Sequence, residues 1–225
     1  MWPSKSALFD AARCWDAKRV AALLKSAPAL VSATDPKGRQ GIHLACAVPP
    51  APKLGEANGT ATVAALLKAG ADLEARVAMP EEEGDFRANP VWYAVARGEN
   101  LPLVKFLLKR GGDASYSLWA AVFRDDAEML RTLLKAKPRL NLRGHGETPI
   151  FYAARLQRLK TLDLLIKAGA DPSIKDDRGR DAVEIARARR LPKDVVARLE
   201  NLQRSAQPVR SPAIWPQPQR TDPSA

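Results

Sequence analysis

Five segments of this chain share one design: an apolar residue, two of any kind, two large aliphatics and a lysine. They are Val20-Ala-Ala-Leu-Leu-Lys25, Val63-Ala-Ala-Leu-Leu-Lys68, Val104-Lys-Phe-Leu-Leu-Lys109, Leu130-Arg-Thr-Leu-Leu-Lys135 and Leu162-Asp-Leu-Leu-Ile-Lys167. Apolar side chains at i, i+3 and i+4 make one buried helix face. Ahead of each segment, and once more after the last, an apolar residue is followed three positions later by Ala: Leu8/Ala11, Ile42/Ala45, Val91/Ala94, Leu118/Ala121, Ile150/Ala153 and Val183/Ala186. Small residues at that place let neighbouring helices approach. From each leading apolar residue to the first residue of the trailing aliphatic pair the steps are 15, 24, 16, 15 and 15. Near-constant spacing of this kind is what tandem helix–turn–helix units require, each burying its apolar face only against its neighbours.

Composition agrees with slim, closely packed helices. The 225 residues include 39 Ala and 27 Leu against 13 aromatics, which disfavours a sandwich or a large parallel sheet. Two Cys and two His are too few for a structural zinc site or a disulfide framework. The longest uncharged stretch, Gln40 to Pro52, has 13 residues and three prolines, so no spanning helix is expected. No signal-peptide core forms before Arg13, Asp16, Lys18 and Arg19, so the expected compartment is the cytoplasm, with reduced thiols. The richness in Ala and Arg points to a GC-rich bacterial source. The net charge of +11 turns attention to acidic partners.

Gly146-Glu-Thr-Pro-Ile-Phe-Tyr-Ala-Ala154, followed by Lys167-Ala-Gly-Ala-Asp171, resembles the repeat of the ankyrin family. Lys68-Ala-Gly-Ala-Asp72 and Lys109-Arg-Gly-Gly-Asp113 carry the same helix-ending Gly, and Asp35-Pro-Lys-Gly-Arg39 and Asp176-Asp-Arg-Gly-Arg180 resemble the turn before the leading helix. The resemblance implies an all-α solenoid with short β-turn or hairpin fingers over residues 1–202, in six units of approximately 4–34, 35–75, 76–114, 115–142, 143–175 and 176–202. Residues 203–225 hold five prolines and are expected to be a disordered tail, with Ile214-Trp215-Pro216 its one apolar spot. The spacing further predicts a loop within Pro49–Gly59, an acidic finger carrying Glu81 to Asp85, and no finger at Gly111-Gly-Asp-Ala-Ser115.

Chemistry is sparse. His43 and Cys46 share a helix face, but no third ligand or base is placed to join them. Gly144-His-Gly146 reads as a turn, and no phosphate loop, dinucleotide fingerprint, nucleophile elbow or zinc-protease motif is present. The expectation is a protein without catalytic residues, cofactor or metal. A row of Phe9, His43, Trp92, Trp119 and Phe151 at one position of successive units reads as packing between units. The lysines that end the trailing helices read as complements to the helix dipole.

In the ankyrin family, the two residues after the small pair of each leading helix line the concave binding surface. Here five of those twelve positions are Arg (Arg13, Arg97, Arg124, Arg155 and Arg189), none is acidic, and Phe123 is the large apolar member. Turn tips add Lys37, Arg39, Arg178 and Arg180, and the base of the acidic finger adds Phe86 and Arg87. Arg with Phe is a composition of interface hot spots. The expectation is a monomeric, non-catalytic module that binds an acidic protein or peptide through these residues. Nucleic-acid binding through the same basic face is the second reading, although the charge is spread along the chain and no nucleic-acid motif accompanies it.

Overall fold

The computed structural model describes residues 2–51, 56–78, 87–144 and 146–206. Among them twelve α-helices follow one another in pairs: α1 (Lys5–Arg13) with α2 (Ala17–Ser26), α3 (Gly41–Cys46) with α4 (Glu56–Lys68), and α5 (Pro90–Ala96) with α6 (Leu101–Lys109). After these come α7 (Leu118–Phe123) with α8 (Ala127–Lys135), α9 (Pro149–Arg155) with α10 (Leu159–Lys167), and α11 (Ala182–Ala188) with α12 (Lys193–Ala206). The leading helices stack in one row, each touching the leading helix of the pairs before and after it. The trailing helices stack in a second row behind them. The leading row is the more deeply buried, because each of its helices is covered both by its neighbours and by the trailing row.

The repeated residues do what their spacing requires. Val20, Val63, Val104, Leu130 and Leu162 are fully buried, as are Ala45, Ala94, Ala153 and Ala186. Phe9, His43, Trp92, Trp119 and Phe151 are likewise buried between successive pairs. Polar side chains fix the helix starts. Asn89, Thr148 and Asp181 accept from the backbone N–H three residues on, at the heads of α5, α9 and α11.

Two expectations meet a difference. The loop placed within Pro49–Gly59 ends early, because α4 already begins at Glu56 and contains Gly59. A Cβ at Gly59 would lie 2.9 Å from the Trp15 ring, so the missing side chain is what lets α4 pack there. Trp15 in turn donates its indole N–H to the Ala45 carbonyl at 2.9 Å. At the other end α12 continues to Ala206, four residues into the segment expected to be a tail. Residues 207–225 lie outside the described residues, as does the tip of the acidic finger. The base of that finger is present: β1 (Val77–Ala78) pairs antiparallel with β2 (Arg87–Ala88) in the register Val77↔Ala88. Between α6 and α7 the chain runs instead straight into a 3-10 turn, Ser115–Ser117.

Candidate functional site

The fingers before α3 and α11 are built alike. In each, an Asp side chain accepts from the backbone N–H two and four residues on: Asp35 from Lys37 and Arg39, Asp176 from Arg178 and Arg180. Each Asp also binds the guanidinium four residues on, both at 2.7 Å. Burial works to raise the Asp176 carboxyl, but the Arg180 guanidinium and the backbone donors outweigh it and hold it below the usual carboxylate range. Asp35 is held low in the same way by Arg39.

Arg155 closes α9, and its side chain lies back along the helix to grip Glu147 with two hydrogen bonds of 2.9 and 2.6 Å. The Glu147 carboxylate raises the Arg155 guanidinium further above its ordinary value. Arg180 crosses the face of Phe151 at 5.8 Å, and Arg143 binds Asp177 of the next finger. These groups enclose one cleft of about 350 Å³ between the last two fingers, lined by Gly146, Glu147, Arg155, Asp176, Asp177, Arg178, Arg180 and Arg189. Arg155, Arg180 and Arg143 each meet an internal carboxylate. Among the described residues, Arg178 and Arg189 meet none, so the cleft keeps two positive charges uncompensated.

The other expected site residues are more scattered. Arg13 pairs loosely with Asp10 at 3.4 Å on an exposed surface, and Lys37 stands exposed at its turn tip. Arg97 lies over the Trp92 ring at 5.7 Å. Arg124 turns inward: its guanidinium donates to the carbonyls of Ala96 at 2.6 Å and Val95 at 3.3 Å, and pairs with Glu99 at 3.1 Å. It thus caps the end of α5. Phe123 is 56% exposed. Phe86 and the side chain of Arg87 lie outside the described residues. The structure therefore brings Arg155, Arg178, Arg180 and Arg189 together and leaves the rest apart. Glu147, Asp176 and Asp177 line the same cleft and Arg143 binds Asp177 beside it; the sequence reading quoted the three acids within motifs but assigned none of the four to the site. Aligning the fingers finds them, since Asp35, Arg143 and Asp176 share one position, and Arg39, Glu147 and Arg180 another.

No group of three or more His, Cys, Asp or Glu side chains among the described residues is placed to hold a metal ion. No helix among them is long and apolar enough to cross a membrane. Cys46 is buried, which pushes its thiol well above the usual range, and Cys14 is exposed.

Two rows of short helices joined by turn-built fingers define a repeat solenoid, a scaffold that works through its surface. Residues 91–176 match the family model described as ankyrin repeats in three copies. An ankyrin repeat domain from Acinetobacter baumannii AYE is similar in structure, with a TM-score of 0.64 at 25% identity over 90% of this chain and 98% of that one. The ankyrin repeat domain of Bcl-3, a member of the IkappaB protein family, gives a TM-score of 0.59 at 23% identity, over 86% and 97% of the two chains. No curated protein gives a significant sequence match. The chain has the fold of an ankyrin repeat solenoid, and residues 91–176 carry ankyrin repeats, which are in general protein–protein interaction modules.

Proposed function

We propose that this protein is a monomeric, non-catalytic, cytoplasmic binding module. Its repeat array, residues 1–202, holds an acidic protein surface or peptide along the face that carries Phe123 and the cleft between the last two fingers. The convergence of Arg155, Arg178, Arg180 and Arg189 on one cleft, with two of the four guanidiniums uncompensated, is the observation that carries this reading. Exposed Phe123 lies on α7 at the place Arg155 has on α9, one leading helix away, and offers an apolar contact on the same face. Guanidiniums held by internal carboxylates are preorganised, so a partner meets them without first ordering them. Arg143, Arg155 and Arg180 set the shape of the cleft, while Arg178 and Arg189 supply its net attraction.

The test is capture of partners from the source lysate, with and without nuclease, by wild type, by R178E with R189E, and by K68E on the trailing row. One nuclease-resistant protein retained by K68E and lost by the double variant is the expected result. Equal losses from both variants would place the contact elsewhere. Recovery that disappears with nuclease would put the nucleic-acid reading first.

A further inference from the structure

The charges in the cleft also limit what form of acidity it accepts. Glu147, Asp176 and Asp177 neutralise Arg155, Arg180 and Arg143, so a ligand with several spread negative charges finds net attraction for only about two of them. A polyacidic run or a nucleic-acid strand is such a ligand. The uncompensated charge is confined to Arg178, on a fingertip, and Arg189, at the end of α11. Two guanidiniums facing a small cleft are best matched by one compact group that carries about two negative charges and offers several acceptor oxygens. A phosphomonoester has about −1.5 to −2 charges at neutral pH and three such oxygens, whereas a single carboxylate brings one charge. The planar fork of Arg suits phosphate oxygens two at a time. A volume of about 350 Å³ admits a phosphorylated side chain with a little of its flanking backbone.

Resting on the binding-module reading above, we infer that the cleft between the last two fingers is a receptor for a phosphorylated Ser or Thr side chain of the protein partner. With only two of its charges left unneutralised the cleft disfavours longer polyanions, and Arg178 and Arg189 hold the phosphoryl group.

Fluorescent twelve-residue peptides on a Gly-Ser background test this, with phosphoserine, Glu or Ser at the central position, titrated by the full chain. The phosphoserine peptide should bind about tenfold or more tightly than the Glu peptide, and the Ser peptide should not bind. R178A and R189A should each lower phosphoserine binding about tenfold, while R131A on α8 leaves it unchanged. These side chains are exposed, and their removal should not unfold the chain. Equal affinity for phosphoserine and Glu would overturn the inference and leave the acidic-partner reading standing. So would phosphoserine binding that survives R178A with R189A. Absence of phosphate-dependent binding up to millimolar peptide overturns it too, and an Asp/Glu-rich peptide then tests the broader reading by itself. Competition by inorganic phosphate as strong as by the peptide would reduce the cleft to a free-anion site. Tighter binding of a single-stranded oligonucleotide would contradict the preference against polyanions.

Discussion

Lys137 stands where three other units have glycine. After α4, α6 and α10 the chain turns through Gly70, Gly111 and Gly169 at φ of +94°, +90° and +79°. Each donates its backbone N–H to the carbonyl three residues back: Leu67, Leu108 and Ile166. Lys137 makes the same bond to Leu134 after α8, at φ +52°. Nothing lies within 4 Å of a Cβ built on any of the three glycines, so the backbone angle is the whole reason for glycine there. The lysine therefore holds its left-handed turn at a cost of about 1 kcal/mol. K137G should raise stability by roughly that amount, seen as a midpoint shift of about 2–4 °C. G169A should lower it similarly. Urea unfolding of the pair checks the sign, and a destabilised K137G would mean that the lysine side chain makes up for its strain.

Between elements, Arg124 shows why a position in the repeat does not fix a role. By sequence it is equivalent to Leu156 and Arg189, which follow the last residues of α9 and α11. It folds back and satisfies the last carbonyls of α5, which no helical N–H can reach. R124A should cost about 2 kcal/mol of stability, against almost nothing for F123A, whose side chain is already largely in water. Equal unfolding midpoints for the two variants would refute the capping role. The same contrast marks what the sequence discloses. The stacking of α1 to α12 could be read from Val20, Ala45 or Leu162, because burial of a helix face repeats at local spacing. The pairing of Arg155 with Glu147, eight residues back, or of Arg124 with Glu99, depends on where long side chains run after folding. So the arginines were legible as positions, while the acids that neutralise half of them were not. Gly59 was misread for a related reason: its meaning depends on Trp15, 44 residues away.

Across the whole molecule, two sets of buried or paired groups give stability two separate acid limits. His43 accepts the Gln40 backbone N–H at Nδ1, 3.0 Å away, and donates from Nε2 to the Ala75 carbonyl at 2.8 Å, tying α3 to the turn after α4. The bond at Nδ1 needs an unprotonated nitrogen to accept, and burial holds the ring's pKa below the ordinary 6.5. Between those two values the unfolded chain binds the proton more readily than the folded one. The stability that His43 contributes is therefore complete above about pH 6.5 and declines as pH falls toward the folded value. Asp35, Asp113, Asp163 and Asp176 are held below the ordinary 3.8, in the turn before α3, at the fingerless junction, on α10 and in the finger before α11. Their contribution is complete above about pH 4 and is lost only as pH falls through their lower folded values. Because every pair of helices is stable only against its neighbours, losses at these scattered sites act on one cooperative stack. Thermal midpoints measured from pH 8 to pH 3 should fall in two stages, a shallow one beginning near pH 6.5 and a steeper one below pH 4. H43Q should flatten the first stage and leave the second in place. A wild-type midpoint constant between pH 7 and pH 5 would show that the buried imidazole does not link the units as its two hydrogen bonds require.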